Sequence, residues 1–266
     1  MKRLFLSLAL SLSLTLTPAL AAGTLTVDGQ AVEAAATVRG STTYVSLRSV
    51  TQALQPDALI LWTDGRALAE GAGFSLTARP GACYLEVNGR ALYIPQGVLL
   101  EKGVTLVPVR VLAEALGAGV EWDRATGAVH VTSGEGGIPG EADVYDPADL
   151  HWLSRIISAE SRGEPLTGKL AVGNVILNRV DHGEFPDTIY GVIFDSRWGG
   201  QFEPVRNGTI YDAPTAESVI AAKLVLEGAD AAGDSLYFLA PSLTDNHWIM
   251  ANRDYVATIG AHWFYR

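Results

Sequence analysis

Residues 158–165, Ser-Ala-Glu-Ser-Arg-Gly-Glu-Pro, form the end of a predicted helix around which the C-terminal half of the chain is organised. Asp146 followed by Pro147 predicts the start of that helix, because Asp caps helix N-termini and proline fits the first helical position. Apolar residues recur at spacings of three and four over positions 150–157, which is one face of a helix. Glu160 continues this face and is therefore predicted to lie on its buried side.

Such a position would suit Glu160 to proton transfer. A buried carboxyl loses hydration, which raises its pKa and keeps it protonated near neutral pH. Gly163 and Pro165 predict that the helix ends just after Glu160, near the mouth of a cleft. The alternative is a partly buried glutamate that pairs with Arg162 or another arginine.

Composition narrows the class of protein. With 266 residues, of which 48% are hydrophobic, the chain can form one large or two ordinary globular domains. The formal net charge of −10 argues against nucleic acid as a partner. Cys83 is the single cysteine, so no disulfide can form within the chain.

Residues 1–22 have the pattern of a signal peptide. Two basic residues precede an apolar run over 4–16, and small residues at 18–21 match a signal peptidase site. The apolar run is shorter than the roughly 20 residues that a membrane span needs. We therefore expect a secreted protein with no transmembrane span after cleavage.

An internal repeat organises residues 23–132. Residues 43–50 match residues 105–112, and each copy runs into a short predicted helix and later reaches a tryptophan, Trp62 or Trp122. This segment resembles the N-terminal module of copper amine oxidases. The name does not imply copper here, because one histidine precedes the linker and copper sites need several imidazole or thiolate ligands. Wall attachment, contact with an accessory protein and a spacer role remain open for the module.

A second domain is predicted after a linker. Residues 133–145 include a glycine-rich stretch without apolar periodicity, which is typical of a linker, and residues 146–266 follow as a separately folded unit. Its further elements are predicted as helices at 166–180 and 215–227 and as strands at 236–239 and 258–265. Because helices precede short strands, we expect the α+β class.

Seven ordered pieces of this domain carry a second resemblance. They are residues 159–165, 168–180, 185–193, 201–205, 236–238, Trp248 and residues 259–264. In order and spacing they are similar to the SleB-type cell wall hydrolases, the spore cortex-lytic enzymes. The resemblance implies a lysozyme-like catalytic domain that cleaves peptidoglycan glycan strands as a lytic transglycosylase, with Glu160 at the family's catalytic glutamate. It also implies a location in the cell wall or spore envelope and a role in germination.

Two departures from the family pattern leave the substrate open. The helical peptidoglycan-binding repeat that many relatives carry is replaced by the amine-oxidase-like module. Ala240 stands where the family usually has asparagine, so a contact to a sugar or acetamide group is missing or moved. Spore cortex and vegetative peptidoglycan therefore both remain candidate substrates.

The number of carboxyls that each reaction requires distinguishes the possible activities. A retaining glycosidase needs two carboxyls about 5–5.5 Å apart and an inverting one needs them about 6.5–9.5 Å apart, whereas a lytic transglycosylase needs one. Glu164 is the nearest other carboxyl in the sequence, and beyond the helix end we expect it to be solvated or paired with an arginine. The sequence thus favours transglycosylation over a muramidase that uses water or a wall-binding protein without activity.

Further residues are candidates for contact with the glycan. They are Ser161, Arg162, Glu164, Gln201, Phe202, Tyr237, Trp248 and His262. Amides and aromatic faces suit amino sugars, although Ser161 could be an exposed helix-end residue, Arg162 a structural ion-pairing residue and the aromatic residues part of the core. The histidines are scattered without ligand spacing, so we predict no metal or other cofactor.

Overall fold

The computed structural model describes residues 24–134, 136–197, 200–244 and 248–266. The predicted signal peptide, residues 1–22, lies outside the described residues. Within the described part of the chain, no helix combines the length and apolar character needed to cross a bilayer.

The N-terminal half is built from short strands and two helices. Its elements are β1 (Leu25–Val27), β2 (Gln30–Ala31), β3 (Ala36–Arg39), β4 (Thr42–Ser46), α1 (Leu47–Leu54), β5 (Leu59–Thr63), β6 (Arg66–Gly71), β7 (Phe74–Ala78), β8 (Tyr84–Val87), β9 (Arg90–Tyr93), β10 (Leu99–Glu101), β11 (Val104–Pro108), α2 (Val109–Ala115), β12 (Gly119–Trp122) and β13 (Val129–Thr132). They form three sheets with the strand orders β12-β13-β1-β2, β10-β11-β4-β3 and β5-β6-β7-β8-β9.

The internal repeat is visible as two matching strand-to-helix units. In the first copy β4 leads into α1, and in the second β11 leads into α2. The two strands pair antiparallel, with Leu106 opposite Ser46 and Pro108 opposite Tyr44. The strands of the two copies therefore lie side by side in one sheet, and the buried residues of both copies belong to a single apolar core.

The glycine-rich segment after β13 is bound to this module. The side-chain amide of Gln55 donates a 2.6 Å hydrogen bond to the carbonyl of Gly136, and that of Asn88 donates one of 2.8 Å to Ile138. A short helix, α3 (Glu141–Val144), follows. Most of the predicted linker thus lies against the N-terminal half.

The C-terminal half contains helices followed by a small sheet. Its elements are α4 (Pro147–Ser161), α5 (Leu166–Val180), α6 (Ile189–Ile193), α7 (Glu203–Asn207), α8 (Ala216–Leu226), β14 (Tyr237–Leu239), α9 (Trp248–Asn252), β15 (Tyr255–Ile259) and β16 (His262–Tyr265). The strand order is β14-β16-β15. The predicted α+β class is confirmed. The single terminal strand predicted over 258–265 was wrong, because Gly260 takes a left-handed φ of 59° and reverses the chain into a hairpin.

Helix α4 begins and packs as its sequence predicts. The carboxylate of Asp146 accepts hydrogen bonds from the backbone N–H groups of residues 148 and 149, at 2.8 and 3.3 Å. The apolar face over 150–157 packs against α5 and α8. At Gly173 on α5, an added Cβ would lie 2.9 Å from Ile157 and 3.0 Å from Val225, so the absence of a side chain permits this close three-helix contact.

The two halves share a polar and aromatic interface. Arg90 on β9 makes a bidentate ion pair with Glu227, at 2.6 and 2.7 Å, and the hydroxyl of Tyr145 donates a 2.6 Å hydrogen bond to the same carboxylate. Ala91 is buried within the C-terminal core, and Tyr93 packs against that core. Strand β9 therefore connects the N-terminal module to the end of α8.

Candidate active site

Glu160 lies in the last turn of α4 and is partly buried. The pKa of its carboxyl is raised to about 7: burial makes the largest contribution, the negative charge of Glu203 adds to it, and the positive charge of Arg179 opposes both. The predicted rise in pKa is thereby confirmed. Near neutral pH, a substantial fraction of Glu160 is protonated and can donate a proton.

Two charged residues near Glu160 were not predicted as site residues. Glu203 is the first residue of α7, is exposed, and forms an ion pair with Arg206. Arg179 lies in the last turn of α5 and is only 4% exposed. Both lie within the motifs quoted from the sequence, but Arg179 is 19 residues and Glu203 is 43 residues from Glu160 along the chain. Their approach to it depends on how α5 and α7 pack against α4.

Glu164 occupies a different place from the one expected. Its side chain is 12% exposed, and its Oε2 accepts a 2.9 Å hydrogen bond from the backbone N–H of Ala261 and lies 4.0 Å from Nδ1 of His262. The prediction that Glu164 is solvated or paired with an arginine was therefore wrong. The physical reason is the terminal hairpin: its glycine turn presents a backbone N–H to the carboxylate, and a Cβ at Gly260 would lie 1.7 Å from Oε2.

His262 belongs to this same structural contact. The residue is buried, and its ring meets Phe238 edge-on with centroids 5.4 Å apart. Burial lowers the pKa of the imidazole, while the neighbouring carboxylate of Glu164 partly opposes that effect. Glu164 and His262 thus join the loop after α4 to the terminal hairpin.

The two residues after Glu160 differ in what they can offer a ligand. Ser161 is 1% exposed, and its hydroxyl donates a 2.5 Å hydrogen bond to the carbonyl of Ile157, so it is not the exposed helix-end serine considered as an alternative. Arg162 is exposed, and the described residues provide no hydrogen bond or ion pair to its guanidinium. Of the two, Arg162 is available to a ligand.

Three aromatic candidates are brought together by arginines. The guanidinium of Arg179 lies 5.3 Å from the ring centroid of Phe202 and 5.5 Å from that of Tyr237. The guanidinium of Arg253 lies 4.7 Å from Tyr237 and 5.2 Å from Trp248, whose side chain is largely accessible. Arg179 and Phe202 are buried, whereas Tyr237 and Trp248 are at least partly accessible, and the charge of Arg179 acts on Glu160. Gln201, which is half-buried, directly precedes Phe202.

The described residues contain no group of three or more His, Cys, Asp or Glu side chains arranged to hold a metal ion. The side chains at this site offer one carboxyl with a pKa of about 7, a second, exposed carboxylate and the buried cation of Arg179. Such a set can transfer protons to and from a substrate oxygen.

Comparisons with known proteins place both halves of the chain. Residues 163–265 match the family model described as Cell Wall Hydrolase, and residues 26–131 match that of the copper amine oxidase N-terminal domain. The cell wall hydrolase CwlJ of Oceanobacillus iheyensis is 31% identical over 103 residues, which are 36% of this chain and 72% of that protein. The chain belongs to the cell wall hydrolase family.

Two further proteins are similar to the C-terminal half of the chain. The spore cortex-lytic enzyme of Bacillus cereus is 38% identical over 120 residues, and the match spans 45% of each protein, so the chain covers about half of that relative's length. The solved catalytic domain of the germination-specific lytic transglycosylase SleB from Bacillus anthracis is 36% identical, with a TM-score of 0.43, over 48% of this chain and 100% of that domain. Both resemblances stated from the sequence are thus confirmed. The matched family range begins at residue 163 and does not include Glu160.

Proposed function

We propose that this cell wall hydrolase cleaves the glycan strands of peptidoglycan and that Glu160 carries both proton transfers. The observation on which the proposal rests is the pKa of Glu160, raised to about 7 by burial. A general acid must hold its proton at the pH of the reaction and must then work as a base, and a pKa near that pH serves both roles. Membership of the family supports the wall polymer as the substrate.

In the favoured mechanism, Glu160 protonates the glycosidic oxygen while the bond from that oxygen to C1 of the muramyl residue breaks. The resulting carboxylate then removes a proton from the C6 hydroxyl of the same sugar, and that oxygen bonds to C1. The product ends in a 1,6-anhydromuramic residue, and Glu160 is protonated again. One carboxyl suffices for this cycle, which makes a lytic transglycosylase our first choice.

A muramidase that uses water is the second candidate, and Glu203 is the observation in its favour. It is the carboxylate whose charge acts on Glu160, and an inverting glycosidase needs a second carboxylate to activate water. Glu203 is, however, exposed and paired with Arg206. These features fit a solvated neighbour of the acid better than a base that holds water in a dry site.

We further propose that the enzyme is secreted and acts in the cell wall or spore envelope, with spore cortex during germination as the first substrate to test. The remaining candidates for glycan contact are Arg162, Gln201, Tyr237 and Trp248, which are at least partly accessible, together with the buried Phe202 beneath them. The N-terminal module is proposed to contact the wall or an accessory protein.

The test is digestion of purified cortex and vegetative sacculi in ¹⁸O-labelled water, followed by mass spectrometry of the released muropeptides. We expect 1,6-anhydromuramic ends without label, whereas labelled reducing ends that disappear in E203Q would establish the muramidase. E160Q should lose about 10²–10⁴-fold or more of the activity, because it can neither donate nor recover a proton. E164Q is the matched control and should retain substantial turnover. An active E160Q, or a wild-type enzyme that binds sacculi without releasing fragments, would overturn the proposal.

A further inference from the structure

Arg179 is a buried cation that forms no ion pair with a carboxylate of the described residues. Its Nε donates a 2.7 Å hydrogen bond to the carbonyl of Leu236, and its guanidinium lies 4.9–5.5 Å from three ring centroids, those of Phe185, Phe202 and Tyr237. Nη1 is buried, and none of the described residues accepts a hydrogen bond from it. Arginine is rarely buried without an ionic partner, so this arrangement calls for an explanation in terms of charge.

Three carboxylates act electrostatically on Arg179 or on Glu160 at this site, and two of them are already engaged. Asp195 accepts hydrogen bonds of 3.0 and 2.9 Å from the Nε and Nη2 atoms of Arg197, and Glu203 is exposed and paired with Arg206. The third carboxyl, that of Glu160, has no hydrogen-bond or ion-pair partner among the described residues. Glu160 and Arg179 are thus the acid and the cation of this site that form no ion pair with another described residue.

We propose that Arg179 is a positioning residue that stabilises the carboxylate form of Glu160 between the two proton transfers. The inference rests on the proposed function. When Glu160 gives its proton to the glycosidic oxygen, a negative charge appears in surroundings that hold little water, where an unpaired charge is costly. Arg179 provides the compensating positive charge, and its spare N–H is a donor for the new carboxylate.

The aromatic surroundings of Arg179 explain how it can stabilise the carboxylate of Glu160 and still leave Glu160 protonated in the resting state. Burial lowers the pKa of Arg179 to about 10, so the guanidinium remains charged at neutral pH. The pKa of Glu160 nevertheless stays raised, because burial outweighs the attraction of this cation in the resting state. The rings hold the guanidinium by cation–π contacts, and the nearby buried carboxylate of Asp195 is paired with Arg197.

Four other charged or titratable groups surround Glu160 and Arg179. They are Glu203 on α7, Asp195 after α6, Tyr237 on β14 and Arg253 after α9. Each is present in all variants below, so their contributions cancel in the comparison.

The test compares R179M, which removes the charge, with R179K, which keeps it. In R179M the alkaline limb of the profile of kcat/KM against pH should move to higher pH by about one unit, because the cation no longer lowers the pKa of Glu160. The rate at the optimum should nevertheless fall by about tenfold or more, which is the factor equivalent to one pH unit. R179K should restore most of the rate at the optimum and most of the original position of the alkaline limb. A fall in rate with an unmoved limb, or an equal loss in R179K, would mean that Arg179 acts only through packing.

A second measurement does not depend on activity. The urea midpoints of wild type, R179M, E160Q and the double variant are compared at pH 5 and pH 8. At pH 8, R179M should lower the midpoint more in the wild type than in E160Q, and at pH 5 this difference should vanish because Glu160 is protonated. A coupling that is equal at both pH values would overturn the inference even if glycan cleavage by Glu160 is established. If R179M does not fold, the same four-way comparison is made with R179Q, which also removes the charge and should show the same dependence of the coupling on pH.

Discussion

The buried position of Glu160 should reduce the stability of the protein in a manner that depends on pH. The pKa of Glu160 is about 7 in the folded protein and about 4.5 as its ordinary value. Between these values the folded state holds a proton that the unfolded state has lost, so the free energy of unfolding falls as pH rises through this window. The difference of about 2.5 in pKa, at about 1.36 kcal/mol for each unit, corresponds to a loss of about 3 kcal/mol above pH 7.

E160Q should escape this loss, because glutamine resembles the protonated acid in shape and stays neutral. We expect E160Q and wild type to be equally stable below about pH 4.5, and E160Q to be more stable by up to about 3 kcal/mol at pH 8. Urea denaturation at intervals between pH 4 and pH 9 measures the difference, and E33Q, at an exposed position, serves as a control for the change in net charge. A difference that is constant over this range would refute the assignment of Glu160 as a buried acid.

Further predictions concern activity, the interface and the terminal hairpin. Above about pH 7, kcat/KM should fall about tenfold per pH unit as Glu160 loses its proton, and a rate that rises there would contradict its role as the acid. Activity should persist in EDTA; loss by chelation with recovery on adding zinc would reveal a metal site. Replacing Arg90 or Glu227 alone should lower the free energy of unfolding of the full-length protein by about 3–5 kcal/mol. Replacing both by apolar residues should cost less than the sum of the two single losses, and additive losses would argue against a buried pair. Glu164→Ala should cost about 1.5–3 kcal/mol, seen as faster hydrogen exchange at Ala261 and in β16, whereas lost activity at unchanged stability would indicate a catalytic role.

Local patterns predicted the helical part of the C-terminal half well. The cap at Asp146, the apolar stripe of α4 and the bounds of α5 each follow from interactions within a few residues of one another, and the structure has all three. The rise in the pKa of Glu160 followed from the same stripe, and the class of the domain followed from the order of helices before short strands. The terminal hairpin was missed, because a glycine between two β-like stretches does not state by itself whether the chain continues or turns back.

Charge pairing over long distances was decided by the tertiary structure alone. Glu164 meets the turn at Ala261, and Arg90 meets Glu227, across 97 and 137 residues. Arg179 and Glu203 reach Glu160 only because three helices pack together. The sequence by itself determined which residue could become a buried acid, since helical periodicity is a local property. Which cation and which carboxylate surround that acid depended on packing between distant elements, and no local pattern encodes it.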